Sequence, residues 1–366
     1  MSRLVIKIGS NVLTQKKGGL NVKRIAAIAK EVNELAGGGH EVVLVSSGAI
    51  AAGMGKLGFD KKPTEIQLKQ ACAAVGQSLL MRSYGRCFRR YGRKVGQILL
   101  TRGVFSYRGT YLNAKNTVHA LLSFGVIPIV NENDTISTDE IKFGDNDRLA
   151  ALVAGLIDAD RLFILSDVDG LYPDDPKKNP KARLITTVEE ITPDIEKMAG
   201  GAGSIVGTGG MYSKLLAAKR ANAHGITVHI VSGRTYGLVS AVLDGKKRGT
   251  TFLPQEQRIT SRKGWIAYGA RSKGHLVLDD GAVRAVLTGG KSLLPSGIVK
   301  VDGAFKSGDA VFCVDASGSQ KAKGIVNYSS DDIERIRGRR TSEIEGILGF
   351  KYSDEVIHRD NMVILP

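Results

Sequence analysis

Apolar, β-branched runs recur through the first 245 residues, separated by helix-like segments: RLVIKIG, EVVLVSSG, VGQILL, VIPIVNE, RLFILSD and ITVHIVSG read as strands. Runs so uniformly apolar suit strands covered on both faces. Between them, NVKRIAAIAKEVNELAGGG carries apolar residues at three- and four-residue steps and ends in glycines, and NAKNTVHALLSFG repeats the form with a stop at Gly125. Strand and helix in alternation predict an α/β fold with a mainly parallel open sheet sandwiched by helices.

After Gly249 the pattern changes. TTFLPQEQRITSRKGWIAYGARSKG is turn-rich and basic, and HLVLDDGAVRAVLTGGKSLLPSGIVKVDGAFKSGDAVFCVD shows short strands broken by glycine pairs. The expected organisation is an α/β domain over residues 1–250, a basic linker over 251–273, and a small, mostly-β domain with its tail over 274–366. A chain of 366 residues is too long for one ordinary core, which agrees with two domains.

Composition narrows the function classes. The amino terminus, MSRLVIKIGS, has a lysine inside a short apolar run, so it predicts neither a signal peptide nor a membrane span, and a cytoplasmic location is expected. Cys72, Cys87 and Cys313 are far apart and lack CxxC spacing, which argues against a disulfide framework and a zinc site. The six histidines form no HExxH or nucleophile-base pattern. A net charge of +16 raises the question of nucleic acid, but residues 275–366 carry 12 basic against 13 acidic side chains. The excess lies in the first 245 residues and in the linker, so RNA recognition by the C-terminal part is not expected. Arg82, Arg86, Arg89, Arg90 and Arg93 fall at helical spacing and read as a solvated or subunit-facing surface.

In an open parallel sheet, ligands bind where strands end, so the loops leaving the strands carry the chemistry. Lys7 interrupts the first strand between Ile6 and Ile8, and a buried ammonium needs an anionic partner; it reads as a charge aimed at phosphate. VVLVSSGAIAAG leaves its strand through Ser46, Ser47 and Gly48 into a helix, offering free N–H groups to an anion. Gly207, Thr208, Gly209 and Gly210 flow into a helix that carries Lys214, a glycine-rich cradle without the Walker spacing. GVIPIVNENDTISTDEIKFGDND, residues 125–147, instead concentrates carboxylates and asparagines, which would repel phosphate and suit a substrate ammonium or a magnesium ion carried by a nucleotide. Lysines for phosphate on two loops and carboxylates on a third imply phosphoryl transfer to an amino acid.

VIKIGSNVLT, SSGAIAAG, VNEND, GDND, LSDVDGLY and GTGGMYSK, in that order, resemble the amino acid kinase family, and within it the glutamate kinases; LLPSGIVKVDGAFKSGDAV and GIVNYSS resemble a PUA domain. The resemblance covers nearly the whole chain. It implies ATP-dependent phosphorylation of the side-chain carboxylate of L-glutamate, the first step of proline biosynthesis. In matching positions it implies that Lys7 and Lys214 stabilise the transferring phosphoryl group and that Asp147 organises them. It assigns glutamate to Ser47, Asp134 and Asn146, with Asp145 near the ammonium. It assigns the nucleotide to Lys7, Ser166, Asp167, Thr208, Gly209, Gly210, Met211, Tyr212, Ser213 and Lys214. Magnesium is expected to arrive with ATP, with no side chain singled out as its ligand. L-Proline as feedback inhibitor, a homodimer or homotetramer, and association with the reductase that consumes the acyl phosphate are further implications. The rival readings are a relative acting on aspartate, carbamate or a nucleotide, and an RNA-binding protein acting through the PUA-like part.

Overall fold

All six strands expected from the apolar runs form one sheet. In chain order they are β1 (Arg3–Ile8), β2 (Glu41–Ser46), β3 (Val95–Leu100), β4 (Ile127–Glu132), β5 (Arg161–Ser166) and, after the two-residue β6 (Thr187–Val188), β7 (Thr227–Ser232). With β8 (Thr250–Phe252) they complete eight strands in the order β3-β4-β2-β1-β5-β7-β8-β6. The run from β3 to β7 is parallel throughout, and only β8 turns antiparallel against β7. The computed structural model describes the chain except residues 16–18, 138–145, 175, 177–178, 180, 201–209, 255–260 and 366.

Burial explains the uniform apolarity of these strands: β1, β2 and β5 are buried from their second residue to their last. Helix Val22–Gly37 covers one face with Ile25, Ile28, Ala29, Val32 and Leu35, the spacing that puts side chains on one stripe. Its first turn is capped by Asn21, whose side chain accepts from Arg24 N at 3.1 Å. The short strands β6, at the sheet edge, and β8, between it and β7, escape the sequence reading because two or three residues show no alternation. Tertiary contacts place them: Thr250 is fully buried, and its Oγ1 accepts from Leu171 N at 2.8 Å and donates to Ile185 O at 2.6 Å.

Two helices on the sheet are held backbone to backbone. A Cβ on Gly76, in helix Ile66–Arg89, would lie 1.8 Å from Ala49 O, and one on Gly53, in helix Ala49–Leu57, 1.8 Å from Cys72 O. Glycine at both positions lets the helices touch and fixes the turn Ser47-Gly48 that leaves β2, where Gly48 takes φ +100. The long helix ends at Arg89, so Arg82, Arg86 and Arg89 lie exposed along it while Arg93 lies beyond it, its Nε donating to Asn33 Oδ1 at 3.1 Å.

The chain divides into two units, Met1–Val104 with Tyr111–Arg258, and Phe105–Thr110 with Ile259–Pro366. In the second, β9 (Ser272–Leu278), β10 (Ile298–Gly303), β11 (Ala310–Val314), β12 (Gln320–Ile325) and β13 (Met362–Ile364) form a sheet ordered β10-β9-β11-β12-β13. Its core also takes two short helices, Asp280–Leu287 and Ser330–Ile336, each closed by a side-chain cap from Asp279 or Ser329. All three cysteines are free and buried. Lys323, on β12, is 5% exposed; its Nζ donates to Ala270 O and sits 5.3 Å from the centre of the Phe312 ring. Burial pushes this ammonium down to about 8 from an ordinary 10.5.

Two outcomes follow from this packing. Gly76→Ala is expected to destabilise the chain by about 2–3 kcal/mol through overpacking, whereas Gly37→Ala, where a Cβ meets nothing, changes stability by less than about 0.5 kcal/mol in denaturant titration. Because folded Lys323 releases its proton at lower pH than the unfolded chain does, the full chain should melt at rising temperature from about pH 8 to about pH 10. Lys323→Met should flatten that rise, and an unchanged slope would remove Lys323 as its cause.

Candidate functional site

Three segments distant in sequence meet at the carboxyl end of the sheet. Lys7 lies one residue before the end of β1, between Val45 of β2 and Ile164 of β5. Asp147 opens helix Asn146–Leu156 and Lys214 lies in the first turn of helix Met211–Ala223. Both ammonium groups engage one carboxylate: Lys7 Nζ meets Asp147 Oδ1, and Lys214 Nζ lies 3.1 Å from Asp147 Oδ2. Ser213 Oγ also lies 3.1 Å from Oδ2. Asp147 is fully buried and each lysine only 4% exposed. Unpaired, each ion would cost several kcal/mol in desolvation. Two ammonium groups against one carboxylate leave this triad positive, so it suits an anion. Asp147 in the first helical turn gains further from the helix dipole.

Beside the triad lies a chain of neutral amides. Asn146 Nδ2 donates toward Ser46 O at 2.8 Å, Asn131 Oδ1 at 2.9 Å and Ser47 Oγ at 3.1 Å. Asn131 Oδ1 also accepts from Glu132 N at 2.9 Å, and Asn131 Nδ2 donates to Gln77 Oε1 at 2.9 Å. Ser46 Oγ is bonded to Tyr84 OH at 2.9 Å beneath this layer. The turn after β2, the end of β4, the start of helix Asn146–Leu156 and the middle of helix Ile66–Arg89 are thereby tied into one wall.

On the other side of β1, Ser166 and Asp167 leave β5. Gly233 N donates to Ser166 O at 2.5 Å, and Asn11 Nδ2 donates to Asp167 Oδ2 at 3.0 Å. Burial alone would raise the Asp167 carboxyl; hydrogen bonds from Asn11, its own backbone and Ser166, with the charge of Lys214, outweigh it and hold it below the ordinary carboxylate range. Gly9 follows β1, and a Cβ there would meet Leu165 O at 3.4 Å and Lys7 Nζ at 3.8 Å. Packing would tolerate that atom; it would fill the space beside the ammonium.

The structure thus brings Lys7, Asp147, Lys214 and Ser213 together, and Asn146 with Ser47, while Ser166 and Asp167 stand at the next strand end. Asp134 lies half-buried in the turn after β4, and Gly210, Met211 and Tyr212 lead into the helix of Lys214. Asp145, Thr208 and Gly209 lie outside the described residues. Sequence reasoning left Asn11, Gln77, Tyr84 and the bonding of Asn131 unassigned. Asn131 stands in the VNEND motif and Asn11 in VIKIGSNVLT, but Gln77 gives no sequence signal. Among the described residues no cluster of three or more His, Cys, Asp or Glu side chains stands where a metal could be held, and no helix is long and apolar enough to cross a membrane.

The amino acid kinase family profile matches residues 2–232 and the PUA domain profile residues 274–348. Glutamate 5-kinase of Syntrophotalea carbinolica is 53% identical over 364 residues, an alignment covering 100% of this chain and 97% of the relative. Glutamate 5-kinase of Geobacter sulfurreducens is 52% identical over 365 residues, covering 100% and 98%. Among solved structures, carbamate kinase from Giardia lamblia bound to AMP-PNP has a TM-score of 0.51 at 18% identity, covering 69% of this chain and 99% of that one, a likeness of fold. With the family profile spanning most of the first unit and relatives matching from end to end, this chain belongs to the amino acid kinase family, among the glutamate 5-kinases.

Proposed function

We propose that this chain transfers the γ-phosphoryl group of ATP to the side-chain carboxylate of L-glutamate, giving L-glutamyl 5-phosphate and ADP, the first step of proline biosynthesis. The observation that carries the reading is the buried, net positive triad of Lys7, Asp147 and Lys214 set between an amide-lined wall and the loop after β5. Lys7 and Lys214 contact the transferring phosphoryl group and offset the charge that builds on its oxygens, while Asp147 keeps the two ammonium groups apart and aimed. Ser47, Asn146 and Asp134 hold the amino acid, with Asp145 beside its ammonium. Ser166, Asp167 and the segment Thr208 to Lys214 hold the nucleotide. Glycine at position 9 keeps a side chain from standing 3.8 Å from the Lys7 ammonium.

Magnesium bound with ATP neutralises charge on its phosphates. Asp147 is already taken up by Lys7, Lys214 and Ser213, so the donor set fits an ion that the nucleotide brings with it. A carboxylate acceptor is a nucleophile at neutral pH and needs no general base. L-Proline, which shares glutamate's ammonium and α-carboxylate, would compete for the amide wall, and homo-oligomer formation and hand-over to a reductase complete the reading.

Hydroxylamine trapping of the acyl phosphate tests it directly: product should require ATP and L-glutamate, and product with aspartate or carbamate but none with glutamate would overturn the assignment. Lys7→Ala should lower kcat by about 10²–10³. Asp147→Asn should lower both kcat and melting temperature, since breaking a buried ion cluster costs about 3–5 kcal/mol. With no base to deprotonate and an acceptor pKa near about 4.3, kcat should stay level from about pH 6 to 8. A rising limb centred near neutrality would instead reveal a required base.

A further inference from the structure

The short helix Ser10–Leu13 follows β1, and one of its side chains reaches across to the exit of β5. Gly9 N donates to Leu165 O at 3.1 Å, which ties the two strand ends together. Beyond it the helix is pinned by its buried side: a Cβ on Gly233 would lie 2.5 Å from Val12 Cγ2, and one on Gly48 3.6 Å from Leu13 Cβ. Ser10 and Asn11 are exposed. Asn11 Nδ2 donates to Asp167 Oδ2 at 3.0 Å, and Ser166 Oγ donates to Asp167 Oδ1 at 3.3 Å. An ionised carboxylate can only accept, so the nitrogen of the Asn11 amide, not its oxygen, faces Asp167. Burial presses the Asp167 carboxyl upward; among the groups that hold it down Asn11 comes first, ahead of its own backbone, Ser166 and Lys214.

Both oxygens of Asp167 are steadied, yet the residue is exposed at the sheet edge, within reach of a ligand. An anion there repels phosphates, while each of its oxygens keeps a lone pair for a donor. What a nucleotide can offer such a group is a hydroxyl of the ribose or the amine of the base. Strand register chooses between them. Lys7 stands level with Ile164 in the β1–β5 pair, and Asp167 comes three residues later. At the rise of a strand that is about 10 Å further on. With the γ-phosphoryl group at the Lys7 ammonium, a triphosphate running toward the exit of β5 brings the ribose to Asp167 and carries the base beyond it. A carboxylate beside a ribose hydroxyl is also the pairing that dinucleotide-binding sheets use.

We propose that Asn11 is a positioning residue for the nucleotide, holding the Asp167 carboxylate in the orientation in which it accepts from a ribose hydroxyl of ATP. The assignment rests on the reading that Asp167 meets the nucleotide of a glutamate-phosphorylating enzyme. An exposed carboxylate left to itself samples several rotamers, and binding must then meet the cost of ordering it; Asn11 removes that cost in advance. A neutral amide suits the task. It fixes Asp167 without cancelling its charge, and it adds no cation that would draw phosphates away from Lys7 and Lys214.

The test uses the full-length chain and the glutamate-dependent acyl phosphate assay with ATP, 2′-deoxy-ATP, 3′-deoxy-ATP and inosine triphosphate, whose base lacks the amine. Wild type should show a kcat/KM for ATP at least about fivefold above that for one of the deoxy analogues. Asn11→Ala should lower kcat/KM for ATP by at least about fivefold, chiefly through KM, and leave that for the same analogue within about twofold, so that the preference for the hydroxyl is largely lost. KM for glutamate should stay within about twofold, and Asn11→Ala should add nothing in an Asp167→Ala background, because the amide acts only through the carboxylate. Asn11→Leu, close to asparagine in size, is read alongside by melting temperature and by the same ratio, and a fall in that ratio supports the assignment should Asn11→Ala fold poorly. A wild type indifferent to both hydroxyls, equal losses with ATP and the deoxy analogues, or a preference that shifts with inosine triphosphate instead would overturn it. Such a result in a chain that phosphorylates glutamate refutes the Asn11 role alone; wild type inert toward glutamate refutes the proposed reaction and this role with it.

Discussion

The buried carboxylate of Asp147, shared by Lys7 and Lys214, is the interaction around which the first unit is arranged. Neither lysine could stay buried without it, and its own charge could not be buried without them. Their meeting demands that β1 end level with the start of helix Asn146–Leu156 and with the first turn of helix Met211–Ala223. A parallel sheet supplies such a level edge, because all its strands finish on the same side. The residual positive charge is then set by composition, two ammonium groups to one carboxylate, and lies where a phosphoryl group would be received.

The other wall is built on the opposite principle. Asn131, Asn146 and Gln77 carry no charge, and their order is dictated by a main-chain donor at Glu132 and a main-chain acceptor at Ser46. Charged residues there would compete with the triad for the same anion. In the proposed reaction, neutral amides would orient the amino acid by hydrogen-bond direction and leave the field at the reacting end to the lysines. Close helix packing makes this possible: the glycine contacts at Gly53 and Gly76 bring helix Ile66–Arg89 near enough for a side chain from its middle to reach the end of β4.

The parts of this arrangement that the sequence reveals are those in which one residue breaks a strong local pattern. Lys7 is conspicuous because every neighbour in its strand is apolar, and it proves buried and paired. The six principal strands are legible because burial on both faces makes them uniformly apolar, whereas Thr187–Val188 and Thr250–Phe252 are too short to carry a pattern. Gln77 is hidden for the converse reason. In IQLKQACAAVGQSLL it is one of three glutamines, any of which could be a solvated helix residue, and only the crossing at Gly76 distinguishes it. The acidic stretch 125–147 is legible at its ends: Asn131 and Asn146 join the amide wall and Asp147 the triad, while residues 138–145 lie outside those described.

Groups with strongly displaced ionisation ordinarily point to an active site, and in this chain several lie away from the sheet edge that carries the triad. His229, brought down to about 3 by burial and by Arg161, is stacked on Phe163 in mid-strand, 4.7 Å between ring centres. Cys313 is pushed up to about 12 by burial, and Lys323 down to about 8, both within strands of the second unit. Such shifts serve enzymes that must move a proton near neutrality. A carboxylate acceptor has no proton to lose, so the proposed reaction asks for no general base among the lysines, Asp147 and the amides at this edge. The lack of a general base in the proposed chemistry and the concentration of lysines, Asp147 and asparagines at one sheet edge are then two aspects of the same requirement. The site has to hold charge in place while a phosphoryl group passes between two anions.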